Sequence, residues 1–166
     1  VNLKLRSIVG LIPMFAVEVV EHSMLEKLPQ FKKRMEWILK NKQDLTKLVS
    51  QWYVEGEGNK HLLSILRKTR LTKVLTRLVD ESEFLSDYGV RALSKEYEDN
   101  PFHINLDGTD YMLKYLPAES DSDMFGGNSN WRGPIWFPVN FLIIESLQRF
   151  FFYYSPDFKI ECPTGS

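Results

Sequence analysis

The sequence has 166 residues, enough for one domain with a sizeable hydrophobic core. Its composition, 43% hydrophobic and 26% charged, is that of a globular protein, and its formal net charge of −1 excludes an overall electrostatic attraction to nucleic acid or membrane. The single cysteine, Cys162, excludes an internal disulfide and fits a cytosolic or disulfide-indifferent protein.

The first predicted element is a helix over residues 5–21, apolar almost all the way round. A helix of that kind is buried on every side, and Pro13 should kink or divide it. Residues 29–41 differ, because apolar side chains recur at i, i+4, i+7 and i+8 from Phe31 while basic and acidic residues occupy the other face. This pattern predicts a helix with one solvated side.

In the middle of the chain, a polar loop over residues 55–59 precedes a short predicted helix over residues 60–66. Residues 70–80 repeat the amphipathic helical spacing. Residues 80–100 are acidic and irregular, with Tyr88-Gly89 as a candidate turn.

The last third begins with a predicted β-hairpin, in which residues 102–106 and 109–115 flank Asp107-Gly108. A long loop rich in glycine, asparagine, serine and aspartate follows over residues 117–133. The last predicted helix covers residues 134–154 and is apolar nearly all round, with Pro134 suited to its first turn.

Fully apolar helices therefore alternate with half-solvated ones. An α/α barrel has an inner ring of buried helices and an outer ring of amphipathic ones, so this alternation favours such a barrel, with the hairpin inserted in a loop. The chain also lacks an initial Met and ends just after an apolar helix. We therefore expect residues 1–166 to be one fragment of a larger protein.

The segment that carries chemistry is the end of the long loop. It combines glycines that free the backbone, amide and hydroxyl groups, flat tryptophan rings and a planar guanidinium, contributed by Gly126, Gly127, Asn128, Ser129, Asn130, Trp131, Arg132, Gly133 and Trp136. Sugars present many hydroxyls and apolar C–H faces, and such a set satisfies both. The alternative is that the polar residues cap the last helix and the tryptophans are core. For Trp136 the two interpretations are equal, whereas Trp131 and Arg132, outside the helix, favour sugar binding.

Three acidic residues, Glu119, Asp121 and Asp123, precede this segment. If buried together they would repel and raise each other's pKa, so a solvated loop is the better interpretation, with Glu119 the best candidate for a functional carboxylate. The spacing of Asp121 and Asp123 matches only part of a calcium loop, and the histidines show no ligand spacing. We expect neither metal nor cofactor.

The stretch GGNSNWRGPIWFPVNFLIIESL closely resembles glycoside hydrolase family 63, in bacterial proteins related to mannosyl-oligosaccharide glucosidase. LRSIVGLIPMFAVE, EFLSDYGVRALS and YLPAESDSDMFGGNSNWRGPIWFPVN resemble successive blocks of that family, and NWRGPIW is the most specific. Tyr88-Gly89-Val90-Arg91 is similar to a pocket loop found more widely in α/α-barrel glycosidases.

The resemblance implies a mainly α fold, part of an (α/α)6 barrel, and hydrolysis of α-glycosidic bonds with inversion. Inversion needs an acid and a base about 6.5–9.5 Å apart. The family's acid and base are expected outside this chain, which should therefore be inactive alone. The implied partners are an oligosaccharide and the remainder of the catalytic domain, without nucleic acid or membrane. The implied substrate-binding residues are Tyr88, Arg91, Glu119, Asn128, Asn130, Trp131, Arg132, Gly133 and Trp136.

A second hypothesis is a non-catalytic helical module that binds a protein or nucleic acid. It rests on a basic segment over residues 67–77, which holds Arg67, Lys68, Arg70, Lys73 and Arg77. Such a segment is usually the solvated face of a helix. A binding module would expose it beside an apolar patch.

Overall fold

The computed structural model describes residues 4–46, 52, 56, 58–117, 121, 134–154 and 156–162. In that part of the chain the helices are α1 (His22–Lys27), α2 (Pro29–Asn41), α3 (Gln43–Thr46), α4 (Lys68–Leu78) and α5 (Phe137–Tyr154), with 3₁₀ helices over Ile8–Phe15 and Lys95–Tyr97. The strands are β1 (Val17–Glu21), β2 (Lys60–Ser64), β3 (Leu85–Ser86), β4 (Gly89–Val90), β5 (Phe102–Leu106) and β6 (Thr109–Leu113).

The fold is mixed α/β, and the predicted (α/α)6 barrel is wrong. The described strands form three two-stranded antiparallel sheets, β1–β2, β3–β4 and β5–β6. Two segments predicted as helices account for most of the difference. Part of each segment is a strand, β1 and β2, and these two strands pair with each other. The ring of alternating helices on which the barrel prediction depended is therefore absent from these segments.

The first of these segments, residues 5–21, divides at Ala16 into a 3₁₀ helix and β1. Within the 3₁₀ helix every third side chain is buried, namely Ile8, Leu11 and Met14. That spacing is the three-residue turn of a 3₁₀ helix. Pro13 lies inside this helix and disfavours a continuous α-helix because it lacks an N–H to donate.

The strand β1 follows because its sequence favours an extended backbone. Val17, Val19 and Val20 are buried while Glu18 and Glu21 are exposed. Valine is stiff at its first side-chain torsion and packs well on a pleated surface. The partner is β2, with Val17 opposite Ser64 and Glu21 opposite Lys60. The short helix predicted over residues 60–66 is therefore also wrong.

The predictions with a clear local signal are confirmed. Helices α2 and α4 form where the 3.6-residue repeat placed them, and Leu71, Leu75 and Leu78 are the buried residues of α4. The hairpin β5–β6 turns at Asp107 and Gly108, whose φ angles are 52° and 85°. Two successive positive φ values identify the tight turn that joins antiparallel strands with their natural twist.

Helix α5 begins at Phe137 rather than at residue 134. Although the helix is apolar nearly all round, only one of its faces is covered within the described residues. The covered residues are Val139, Ile143, Ser146, Phe150 and Tyr153. Large apolar side chains elsewhere on the helix are exposed, namely Phe137, Phe141, Leu142, Ile144, Phe151 and Phe152.

The chain divides into two compact units. The first comprises Val1–Ile12, Lys73–Phe141 and Glu161–Ser166. The backbone N–H of Arg6 donates to the hydroxyl of Tyr97 over 2.9 Å, and this bond ties the start of the unit to its core. That core is built from Leu93, Tyr97, Leu113 and Tyr115, with Leu5 and Phe102 packed against it.

The second unit comprises Pro13–Thr72 and Leu142–Ile160. Its ring stack joins Trp52 to His61 of β2, with centroids 4.6 Å apart, and the carbonyl of Trp52 lies 2.8 Å from His61 Nδ1. A buried cluster of Val20, Leu25 and Trp52, covered by Met35, Leu39 and Leu63, forms its core.

Candidate functional site

The turn predicted at Tyr88-Gly89 is the tip of the hairpin β3–β4. Leu85 pairs with Val90, and Ser86 pairs with Gly89. The Ser86 hydroxyl donates to the Gly89 carbonyl over 2.7 Å and accepts from the Tyr88 N–H over 3.3 Å. Hydrogen bonds within the hairpin therefore stabilise its turn, while Tyr88 is 87% exposed.

Arg91, directly after this hairpin, is only 8% exposed. Its Nε donates to the hydroxyl of Tyr115 over 3.2 Å, and its Nη1 donates to the carbonyl of Glu81 over 3.0 Å and to that of Leu85. The guanidinium also lies over the Tyr115 ring, 5.6 Å from its centroid. These contacts fasten the base of the hairpin. The predicted contact between Arg91 and sugar stays a prediction.

Asn140, in the first turn of α5, holds the other side of the hairpin. Its Oδ1 accepts from the Val90 N–H over 2.7 Å, and its Nδ2 donates to the Val90 carbonyl over 3.0 Å. Nδ2 also lies 3.0 Å from the carbonyl of Trp136. The sequence interpretation missed this residue, although a lone amide in an apolar helical stretch is a signal, since a buried amide requires hydrogen-bond partners.

The backbone after the hairpin meets the end of the NWRGPIW motif. The Ala92 N–H donates to the Pro134 carbonyl over 2.8 Å, and Arg91 forms an antiparallel bridge with Ile135. Trp136 is half-buried and immediately precedes α5. Of the predicted substrate-binding residues, the structure thus places Arg91 beside the segment that leads into Trp136, with Tyr88 at the exposed tip.

The other predicted substrate-binding residues, Glu119, Asn128, Asn130, Trp131, Arg132 and Gly133, lie outside the described residues. Their roles stay predictions. Of the three loop acids, Asp121 is described, and its carboxylate lies 2.7 Å from the Lys114 ammonium. It is thus engaged with a neighbouring cation.

One described carboxylate, Glu83, is largely covered, with its side chain 13% exposed. Arg77 Nη1 donates to both of its oxygens, over 2.7 and 3.0 Å, and Arg6 Nη1 lies 3.5 Å away. A carboxylate engaged by two guanidiniums links elements of the first unit. Its chemistry here is that of an ion pair rather than of a free acid or base.

The basic segment forms most of α4 and its start. Its arginines and lysines, Arg67, Lys68, Arg70, Lys73 and Arg77, are exposed. Lys68 lies over the rings of Tyr154 and Phe158, at 5.7 and 5.3 Å from their centroids, and Arg77 pairs with Glu83. Lys68 and Arg77 therefore have partners within the chain. The binding-module hypothesis stays untested.

Among the described residues, no group of three histidine, cysteine, aspartate or glutamate side chains is placed to hold a metal ion. Across that same part of the chain, no helix combines the length and apolar character needed to cross a membrane.

The profile of the glycosyl hydrolase family 63 C-terminal domain matches residues 19–161. The chain therefore belongs to glycoside hydrolase family 63, and the resemblance read from the NWRGPIW region is confirmed. The site on β3–β4 and α5 lies within the matched region.

Two curated relatives match the chain. An uncharacterized protein of Saccharomyces cerevisiae is 54% identical over 167 residues, covering 100% of this chain and 15% of that protein. A probable mannosyl-oligosaccharide glucosidase of Schizosaccharomyces pombe is 33% identical over 80 residues, covering 48% of this chain and 7% of that protein. The chain thus spans a small part of the length of both relatives. No solved structure matches it significantly.

Proposed function

We propose that this chain supplies part of the sugar-binding site of an inverting α-glycosidase that acts on oligosaccharides. In this proposal the catalytic acid and base lie in other parts of a longer protein, and the chain alone hydrolyses nothing. The relative named as a probable mannosyl-oligosaccharide glucosidase supports a glucosyl bond as the target.

The observation that carries the proposal is the presentation of Tyr88. Tyr88 is 87% exposed, yet its backbone is held by hydrogen bonds to Ser86 and through Val90. An aromatic ring combines an apolar face with, in tyrosine, a polar hydroxyl. A ring held in this way can pack on the C–H face of a sugar without first losing backbone freedom.

In this proposal the end of the loop over residues 117–133 supplies further contacts with the sugar. Trp131 offers a second ring face, and Arg132 donates to a sugar hydroxyl or orients a catalytic carboxylate. The backbone pairing of Arg91 with Ile135 supports a common location for the two segments, because Ile135 follows Trp131 and Arg132 closely in sequence.

The test uses Trp131→Ala and Arg132→Ala in the full-length protein, assayed on α-linked gluco- and manno-oligosaccharides. Each should lower kcat/KM by about tenfold to a hundredfold, the effect of losing a charged hydrogen bond or ring contact in a desolvated pocket. Melting temperature should change little. Trp37→Ala and Arg34→Ala, on the exposed side of α2, are matched controls and should leave kcat/KM unchanged.

The opposite pattern would refute the assignment. A core tryptophan cut to alanine destabilises a protein by about 3–5 kcal/mol. If melting collapses while the folded remainder keeps normal specific activity, then Trp131 and Arg132 belong to the scaffold.

A further inference from the structure

The side-chain amide of Asn140 imitates the backbone of a β-strand. It accepts from the N–H of Val90 and donates to the carbonyl of the same residue, over 2.7 and 3.0 Å. Two antiparallel hydrogen bonds to one residue fix its orientation as well as its distance, which a single bond cannot do. The amide is anchored in turn by its own helix, since Nδ2 lies 3.0 Å from the Trp136 carbonyl.

The hydrogen bonds between Asn140 and Val90 also restrain Tyr88, because only Gly89 lies between Tyr88 and Val90. A Cβ on Gly89 would lie 2.8 Å from Asn140 Oδ1 and 3.3 Å from the Ile135 side chain, so the hairpin backbone packs directly on Asn140. From Gly89 the bonding continues to the Ser86 hydroxyl, which also accepts from the Tyr88 N–H. Asn140, Val90, Gly89 and Ser86 thus form a continuous set of contacts that ends at the Tyr88 backbone.

We propose that Asn140 is a positioning residue for sugar binding, which fixes the Tyr88 turn at the start of α5 without touching the sugar itself. This inference rests on the proposed function, in which Tyr88 contacts the substrate. In this inference the effect of Asn140 on substrate affinity is transmitted entirely through the hairpin. Arg91 holds the base of the hairpin independently, so the loss of Asn140 frees the tip without unfolding the strand pair.

A double-mutant cycle in the full-length protein tests this inference. The substrate is the best cleaved of the α-linked oligosaccharides, and both kcat and KM are measured for Tyr88→Ala, Asn140→Ala and the double variant. Each single substitution should raise KM by about tenfold with kcat unchanged, the signature of lost binding that is equal in ground and transition states. The double variant should also show about a tenfold rise, because the two residues act through one contact.

Asn41→Ala is the matched control. Asn41 makes the same bond from a side-chain amide to the carbonyl four residues earlier, that of Trp37, over 2.8 Å, but it lies on α2. It should leave KM unchanged. If Asn140→Ala fails to fold, Asn140→Asp takes its place in the cycle, since it keeps an acceptor for the Val90 N–H and loses the donor to the Val90 carbonyl.

The possible outcomes distinguish a failure of this inference from a failure of the proposed function. If the double variant shows about a hundredfold rise, the product of two independent effects, then Asn140 does not act through Tyr88 and the inference is overturned. A kcat loss with unchanged KM in Asn140→Ala overturns it as well. If Tyr88→Ala alone changes neither constant, it is the sugar-binding role of Tyr88 that fails.

Discussion

The hydroxyl of Tyr154 is a polar group enclosed by aromatic rings. The rings of Tyr153 and Phe158 lie 4.8 and 4.9 Å from its own ring, and Oη has no hydrogen-bond partner among the described residues. Burial, together with the neighbouring Tyr153, raises the pKa of Tyr154 to about 12. The folded chain therefore strongly favours the neutral phenol.

Replacing Tyr154 with phenylalanine should raise the free energy of unfolding by roughly 1 kcal/mol, because an unsatisfied buried hydroxyl is removed. Urea denaturation measures this change. Tyr97→Phe is the control and should lower the free energy of unfolding, since the Tyr97 hydroxyl accepts from the Arg6 N–H.

The stability gained by Tyr154→Phe should also grow with pH. A tyrosine whose pKa is raised on folding contributes stability that is present below about pH 10 and is lost as pH rises toward its folded value, whereas phenylalanine has no such loss.

Asp80 is a second group whose pKa changes on folding, but here the pKa is lowered rather than raised. Its Oδ1 accepts from the Ser82 hydroxyl over 2.6 Å and from the Ser82 N–H over 2.8 Å. The bond from the Ser82 hydroxyl is the main cause that lowers the pKa of Asp80, opposed by its partial burial. The carboxylate then contributes stability above its unfolded pKa of 3.8, and this contribution is lost as pH falls through the lower folded value.

Asp80→Asn should accordingly lower the melting temperature at neutral pH, and the difference from the unsubstituted protein should vanish in strong acid. Thermal unfolding followed across the acid range measures this. Asp99→Asn, at an exposed position, is the control and should change little. A deficit that persists unchanged below the lowered pKa would show that the Asp80 charge does not contribute.

At the scale of elements, the β3–β4 hairpin depends on Gly89. Its φ angle is +128°, and a Cβ there would lie 2.8 Å from Asn140 Oδ1. Gly89→Ala should destabilise the protein by about 1–3 kcal/mol, from backbone strain and steric conflict together. Gly10→Ala is the matched control, since a Cβ at Gly10 meets nothing within 4 Å. Chemical denaturation of both variants measures the difference, and equal stabilities would mean that the hairpin accommodates the side chain.

Elements with a local signal could be predicted from the sequence. The 3.6-residue repeat gave α2 and α4, and Asp107-Gly108 gave the β5–β6 turn. Residues 5–21 and 60–66 were misassigned because a short apolar run fits a helix or a strand equally well. What decides between them is the pairing of β1 with β2, and the sequence of neither segment contains that information.

The same limit applies to the site. Tyr88-Gly89 is a turn by its own composition, so the hairpin tip could be anticipated. The inward direction of the Arg91 guanidinium could not, because it depends on carbonyls of Glu81 and Leu85 and on the Tyr115 hydroxyl. Asn140 was missed for a related reason, since its partner Val90 is distant in sequence.

At the scale of the whole molecule, we expect the isolated chain to hydrolyse no α-linked gluco- or manno-oligosaccharide. Glycoside hydrolysis by inversion needs two carboxyl groups about 6.5–9.5 Å apart with a water between them, and loss of one acid–base group typically costs about 10²–10⁴-fold in rate. Reducing-sugar release measures this, with the full-length protein as the positive control. Robust turnover by the chain alone that disappears on Glu119→Gln would place the machinery within these residues.

The β1–β2 sheet also bears on how the chain reaches its folded state. Even its closest paired residues, Glu21 and Lys60, are far apart in sequence, with α1, α2 and α3 between them. Bringing residues this distant together costs loop-closure entropy before contacts between the strands can stabilise the pair. Proteins dominated by such distant pairings fold slowly. Helical turns form within about a microsecond, so we expect the intervening helices to order before β1 and β2 pair. We therefore expect the sheet to form late, and the stacking of Trp52 on His61, with ring centroids 4.6 Å apart, to form with it.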